Sequence, residues 1–221
     1  ALVQGAEMAG VSVEDVKYDV KANIRAGAAL LSAMAYEMEI PQERVEAWSF
    51  VAAAYSGIED PEGRAAYVTD EVFGAINSGV QTEVVHLPAQ DIVPDGEDFQ
   101  TKAASGNTDY ASAIWRPSPN NSSRPSGTKG DPQMIIIHTC EGSYSGCWSW
   151  LKNSSSGVSA HYVVNSTGSE ITQLVRESRK AWHISATYKC SRNDDVKCGL
   201  NGTSSNNFTI GIEHAGFANQ A

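Results

Sequence analysis

All four cysteines of this 221-residue chain, Cys140, Cys147, Cys190 and Cys198, lie in its second half, in two closely spaced pairs. A module stitched by local cross-links leans less on a large apolar core than one held by packing alone. Neither pair has the C-x-x-C spacing of a zinc knuckle or a thioredoxin-like motif. Two short-range disulfides, Cys140–Cys147 and Cys190–Cys198, are the favoured reading, and four buried thiols are the alternative. Disulfides point to an oxidising compartment. The start at Ala1, without a basic leader, is expected of mature or trimmed material.

Charge divides the chain at the same place. Residues 1–100 carry 5 basic and 18 acidic side chains, residues 101–221 carry 11 and 8, and the whole has a formal net charge of −10. Two charge regimes suggest two modules. The acidic total argues against a nucleic-acid partner, which calls for a basic footprint. No apolar run approaches the roughly 18 residues of a membrane span.

The first 85 residues read as helical. Ala22, Ile24, Ala28, Leu31, Met34 and Ala35 recur near helical spacing within residues 20–39, an apolar stripe with Asp19 as its cap. Pro41 is expected to open the next helix. Residues 45–55 form another, ended by Ser56-Gly57, and residues 67–76 a third. The acidic turn Glu59-Asp60-Pro61-Glu62 reads as a solvated loop, since a calcium site needs more oxygen donors at set spacing. Prolines then gather from Pro88 to Pro132, and Arg116 to Gly127 reads as a loop by composition. Beyond it strand and helix signals alternate. Met134–Ile137 is a wholly apolar run of buried-strand length ending in His138. Residues 148–153 are helical, with one of Trp148 and Trp150 in the core. Residues 161–165 and 170–175 flank an Asn165-Ser-Thr-Gly168 turn. In the strand over 208–213, alternation places Thr209, Gly211 and Glu213 on one face and Ile210 and Ile212 on the other. A carboxylate closing an apolar strand is not a usual core choice. Functional groups collect beyond the carboxyl ends of strands, so His138 and Glu213 are candidates to face one cleft.

From about Asp109 onward the chain resembles the zinc-dependent N-acetylmuramoyl-L-alanine amidases, the superfamily that includes the peptidoglycan recognition proteins. The resemblance is carried, in order, by Ile135–Tyr144, Val158–Val164, Gly168–Gln173, Ala181-Trp182-His183 and Ile210–Gly216. It implies a zinc-ligand role for His138, a general-base role for Glu213, and substrate-lining roles for Trp182, His183, His161 and Tyr144. For His161 a structural hydrogen-bonding role outweighs a metal role. Further zinc ligands are expected beyond Ala221. The implied activity is cleavage of the amide between N-acetylmuramic acid and L-alanine by an exported, secreted or periplasmic enzyme with zinc as cofactor and peptidoglycan as partner. A non-catalytic peptidoglycan-binding module and a glycan-cleaving lysozyme-like protein are the alternatives. Residues 19–31 and 48–58 show a weaker resemblance to soluble lytic transglycosylases, of lysozyme-like fold. Their catalytic glutamate lies upstream of the matching region, so no transglycosylase activity is expected here. The expected architecture is α+β: a helical lysozyme-like module over 1–86, a linker over 87–108, and an α/β amidase module with a mixed central sheet over 109–221.

Overall fold

A computed structural model describes residues 1–96, Phe99 and 108–218. The chain divides into two compact units, Ala1–Thr101 and Lys102–Ala221. The fold is α+β, with helices in the first unit and a mixed central sheet in the second.

The first unit contains α1 (Leu2–Ala9), α2 (Val13–Tyr18), α3 (Val20–Glu37), α4 (Trp48–Ser56), α5 (Pro61–Ala66) and α6 (Gly74–Ser78). Asp19 caps α3 by accepting from the Ala22 amide at 2.7 Å. Small residues let these helices approach closely. Ala6, Val16 and Ala26 form one apolar cluster, and Ala53, Ala65, Val68, Phe73 and Phe99 form another. Two local expectations are corrected. Pro41 opens no helix; α4 begins only after a 3₁₀ turn over Val45–Ala47. The acidic turn is a helix start, because the Asp60 carboxylate accepts from the Gly63 amide and Pro61 takes the first helical position. After a two-stranded ribbon, β1 (Val80–Gln81) with β2 (His86–Leu87), the chain returns along the helices. Asn77 and Ile92 exchange two hydrogen bonds of 2.9 Å, and Asp95 pairs with Arg44 at 2.7 Å.

The second unit is built on five strands in the order β3-β7-β6-β9-β5. These are β3 (Ile114–Trp115), β7 (Ile171–Gln173), β6 (Tyr162–Val164), β9 (Thr209–His214) and β5 (Met134–Thr139). Strands β5, β9 and β6 run parallel, β6 and β7 are antiparallel, and β7 and β3 are parallel. A separate ribbon pairs β4 (Asn121–Ser123) with β8 (Arg179–Ala181). The segment expected to be loop throughout therefore contains a strand. Helix α7 (Tyr144–Lys152) starts four residues before the helical stretch read from sequence, capped by the Ser143 hydroxyl. Trp148 is fully buried while Trp150 is 55% exposed. The Arg116 guanidinium lies 4.2 Å from the Trp148 ring centroid, a cation–π contact in a dry setting. Both disulfides form, Cys140–Cys147 and Cys190–Cys198.

One expectation for β5 is corrected. It is an edge strand rather than a fully buried one: Ile135 is 65% and Ile137 73% exposed, while Met134, Ile136 and His138 turn to the more covered face.

Candidate active site

The parallel pairing of β5 and β9 brings their carboxyl ends to one edge of the sheet. The register sets Met134 opposite Thr209, Ile136 opposite Gly211 and His138 opposite Glu213. Partners in register project to the same face, so the alternation read on β9 and the histidine that closes β5 meet there. Val163 of β6 lies opposite Glu213 and Thr172 of β7 opposite Val163. Helix α7 sits over that inner part of the face, where the Tyr144 hydroxyl is 2.7 Å from the Thr172 hydroxyl. His138 and Glu213 are half-buried beyond it.

His183 completes the corner. It follows β8 by two residues, and its neighbour Trp182 is held by reciprocal contacts with Ser159: the Trp182 amide donates to the Ser159 hydroxyl and the Ser159 amide to the Trp182 carbonyl. The His183 ring lies flat enough on β9 that a Cβ at position 211 would overlap it. Glycine is therefore required at 211 by close approach. His183 Nδ1 is 3.0 Å from His138 Nε2, and His183 Nε2 is 2.8 Å from the Thr209 hydroxyl. Burial pushes the His183 pKa down to about 3, helped by His161, His138 and Arg124. Burial raises the pKa of Glu213, and His138 opposes that shift.

His161 stands behind His183, ring centroids 5.9 Å apart, and is fully buried. Its Nδ1 accepts from the Gly211 amide at 3.0 Å, and its Nε2 donates to the Arg179 carbonyl at 3.0 Å. Burial lowers its pKa to about 4; the Arg179 carbonyl opposes that shift and Arg124 adds to it. It braces β9 against β8 and offers no open surface to a substrate. Tyr144 is likewise buried, its hydroxyl spent on Thr172. Trp182 is at the rim, 36% exposed, with its indole N–H donated to the Ser122 hydroxyl at 3.1 Å. Beside it opens a cleft of about 430 Å³ lined by Trp182, His183, Ile184, Ser204 and Asn206 among others.

Two contributors were not singled out in the sequence. Arg124, inside the Pro/Ser-rich segment, donates to the carbonyls of Glu177, Asn207 and Thr209, tying the ribbon to the start of β9. Thr209 holds His183 from below. The alternation on β9 already placed Thr209 with Gly211 and Glu213, a usable signal; nothing in the composition around Arg124 marks it.

A zinc site normally takes three protein donors. Among the described residues, the groups of three His, Cys, Asp or Glu donors within 4.8 Å of one another are Cys140–Cys147–Glu213 and Cys190–Asp195–Cys198. Both contain a disulfide, and a sulfur so bonded is not the thiolate that binds metal. What remains at the corner is one outward imidazole, His138, backed by His183 and beside the Glu213 carboxylate. That donor set fits a divalent cation in part.

Residues 128–221 match the family described as N-acetylmuramoyl-L-alanine amidase. That stretch of the chain is similar to amidase type 2 domains. Among curated proteins, N-acetylmuramoyl-L-alanine amidase A of Achromobacter lyticus is 39% identical over 113 residues, covering 51% of this chain and 52% of that protein. The chain thus spans about half the length of the curated relative it matches. A solved structure, that of a selenomethionine AmpD derivative, is 25% identical over 48% of this chain and 62% of that one, with a TM-score of 0.37.

Proposed function

We propose that this protein is an exported peptidoglycan hydrolase that cuts the amide between N-acetylmuramic acid and the L-alanine of the stem peptide. The observation that carries the reading is the in-register pair His138 and Glu213 at the shared carboxyl end of β5 and β9, inside the stretch similar to amidase type 2 domains.

His138 would hold a zinc ion there as one of its ligands. Such an ion supplies Lewis-acid polarisation of the scissile carbonyl and of the attacking water. Glu213 takes the proton from that water and returns it to the departing amine. Its raised pKa brings it nearer the working pH of a general base. His183, held neutral by burial, adds no positive charge that would repel a cation. The cleft beside Trp182 and His183 has the size of a small-ligand site, and the indole offers a flat apolar face to a sugar or peptide segment. Two local disulfides support export to an oxidising compartment.

The test is product analysis of purified peptidoglycan incubated with the zinc-loaded protein. Free stem peptides with a new L-alanine amino terminus are expected, without new reducing ends or anhydro-sugars. Glycan fragments in place of stem peptides would overturn the reading; binding to walls without any release would favour a recognition module.

A further inference from the structure

The cleft beside Trp182 carries chemistry that the corner does not use. Among the residues that line it there is no lysine, arginine, aspartate or glutamate. The segment from Ile184 to Thr187 runs along it, and Ser204 and Asn206 line it from the neighbouring segment. The Ala186 carbonyl accepts from the Ser205 amide at 2.9 Å, and the Tyr188 amide donates to the Thr203 carbonyl at 2.8 Å. Between these bonds Thr187 stands opposite Ser204 in an antiparallel bridge. Peptide groups along an extended segment turn to opposite sides in alternation. Thr187 therefore directs its own amide and carbonyl away from Ser204, and neither these nor those of Ser185 meet a partner among the described residues. Partners in a bridge project their side chains to one face, so the Thr187 and Ser204 hydroxyls stand together. Ser185, Thr187 and Ser204 are all exposed.

We propose that this cleft holds the stem peptide and selects it by charge: the open edge at Ser185 and Thr187 takes the peptide main chain, and Thr187 and Ser204 are specificity-determining residues that favour a stem whose third residue ends without a carboxylate. The proposal rests on the amidase reading and adds which stem the site prefers. A row of unpaired main-chain donors and acceptors matches an extended peptide; a sugar ring has no such row. Thr187 lies four residues past His183, a reach of at most about 14 Å, so a peptide leaving the corner at L-alanine brings its third residue over this edge. A carboxylate arriving there exchanges water for neutral hydroxyls and finds no cation to pair with. A stem lacking that carboxylate loses nothing. Discrimination thus comes from what the cleft withholds from the wrong ligand.

The experiment uses two N-acetylmuramoyl tripeptides that differ only at the third residue. One carries L-lysine; the other carries meso-diaminopimelate, which is lysine with one further carboxylate at its far end. The zinc-loaded protein should cut the lysine substrate with a kcat/KM about tenfold higher, the difference lying mainly in KM. Ser204→Arg, at an exposed position, supplies the missing cation and should bring the two substrates within about threefold or reverse their order. Equal kcat/KM in wild type, or a preference that Ser204→Arg leaves unmoved, would overturn the proposal and leave the amidase reading standing. In parallel, the two free tripeptides and N-acetylmuramic acid are titrated into the metal-free chain and followed by amide NMR. The lysine tripeptide should move the Ser185 and Thr187 amides at lower concentration than the diaminopimelate one. Movement of those amides by the sugar and not by the peptides would assign the cleft to the glycan arm and overturn the proposal. If neither substrate is cut while the tripeptides bind in the expected order, the amidase reading fails and the peptide cleft stands.

Discussion

The helical unit buries Ser49 and otherwise small and apolar side chains, whereas the sheet unit buries Arg116, Asn120, His161, Thr172, Gln173 and Thr209 beside its apolar core. An apolar core of alanine, valine and phenylalanine tolerates exchange as long as volume is kept. A buried polar network does not, because each member left unpaired costs its full desolvation penalty. The first unit is thus held by shape and the second by directed bonds. Directed bonds are what a reactive corner requires: Asn120 alone donates to Asn153, Ser156 and Val158, fixing the backbone that leads to His161. Under the proposed function, chemistry belongs to the second unit and packing to the first.

The hardest test of that division is His138→Ala in the full-length protein. Lewis-acid polarisation contributes several kcal/mol, and each 1.36 kcal/mol is tenfold in rate. Stem-peptide release should therefore fall roughly 10⁴-fold or more, with circular dichroism unchanged. Release at the wild-type rate would move the chemistry elsewhere. Next in size is Glu213→Gln, which keeps shape and hydrogen bonding but cannot accept a proton. Loss of a positioned general base predicts a drop in kcat of about 10²–10⁴-fold with zinc affinity retained. A drop in affinity instead would make Glu213 a ligand.

How much of this corner was legible depended on which physical rule wrote it. Strand alternation alone put Thr209, Gly211 and Glu213 on one face, and the apolar run ending in His138 marked a second strand end; the parallel register then joined them. The local cysteine spacing likewise matched both cross-links. The helix cap at Asp19 was readable because capping is local. What composition could not show was pairing between distant segments. Asn121–Ser123 reads as turn chemistry, yet it pairs with Arg179–Ala181, because backbone hydrogen bonds ask only for a free edge. Arg124 follows from the same pairing and leaves no mark in the sequence. The four apolar residues of β5 predicted burial on both faces, but edge position leaves Ile135 and Ile137 exposed. Tyr144 and His161 were placed against substrate by resemblance; their burial follows from partners, Thr172 and Gly211, that no single segment reveals.

Acid should separate the units by a few kcal/mol. His161 has a folded-state pKa of about 4 against an unfolded value near 6.5. Between those values the unfolded chain binds the proton and the folded one does not, so stability is full above about pH 6.5 and is lost as pH falls toward 4. At pH 5 the second unit should be weaker than at pH 7.5 by about 2 kcal/mol from this group alone. Four of the five tryptophans lie in residues 115–182, so fluorescence-detected urea unfolding reports mainly this unit. A fluorescence midpoint that does not move between the two pH values would mean His161 is not held neutral by its burial.

The smallest effect is expected in the first unit and completes the contrast. Asp19 accepts from the Ala22 amide at the start of α3, the 18-residue helix against which α1 and α2 pack. Asp19→Ala removes that cap, which costs about 1 kcal/mol. In a unit of this size such a loss lowers the midpoint of thermal unfolding by about 4–8 °C. The helical transition in circular dichroism should shift by that amount, the fluorescence transition should stay where it is, and stem-peptide release should be unchanged. Where release falls in step with the lost cap, the helical unit shapes the active corner, and the division between a packed unit and a reactive one fails.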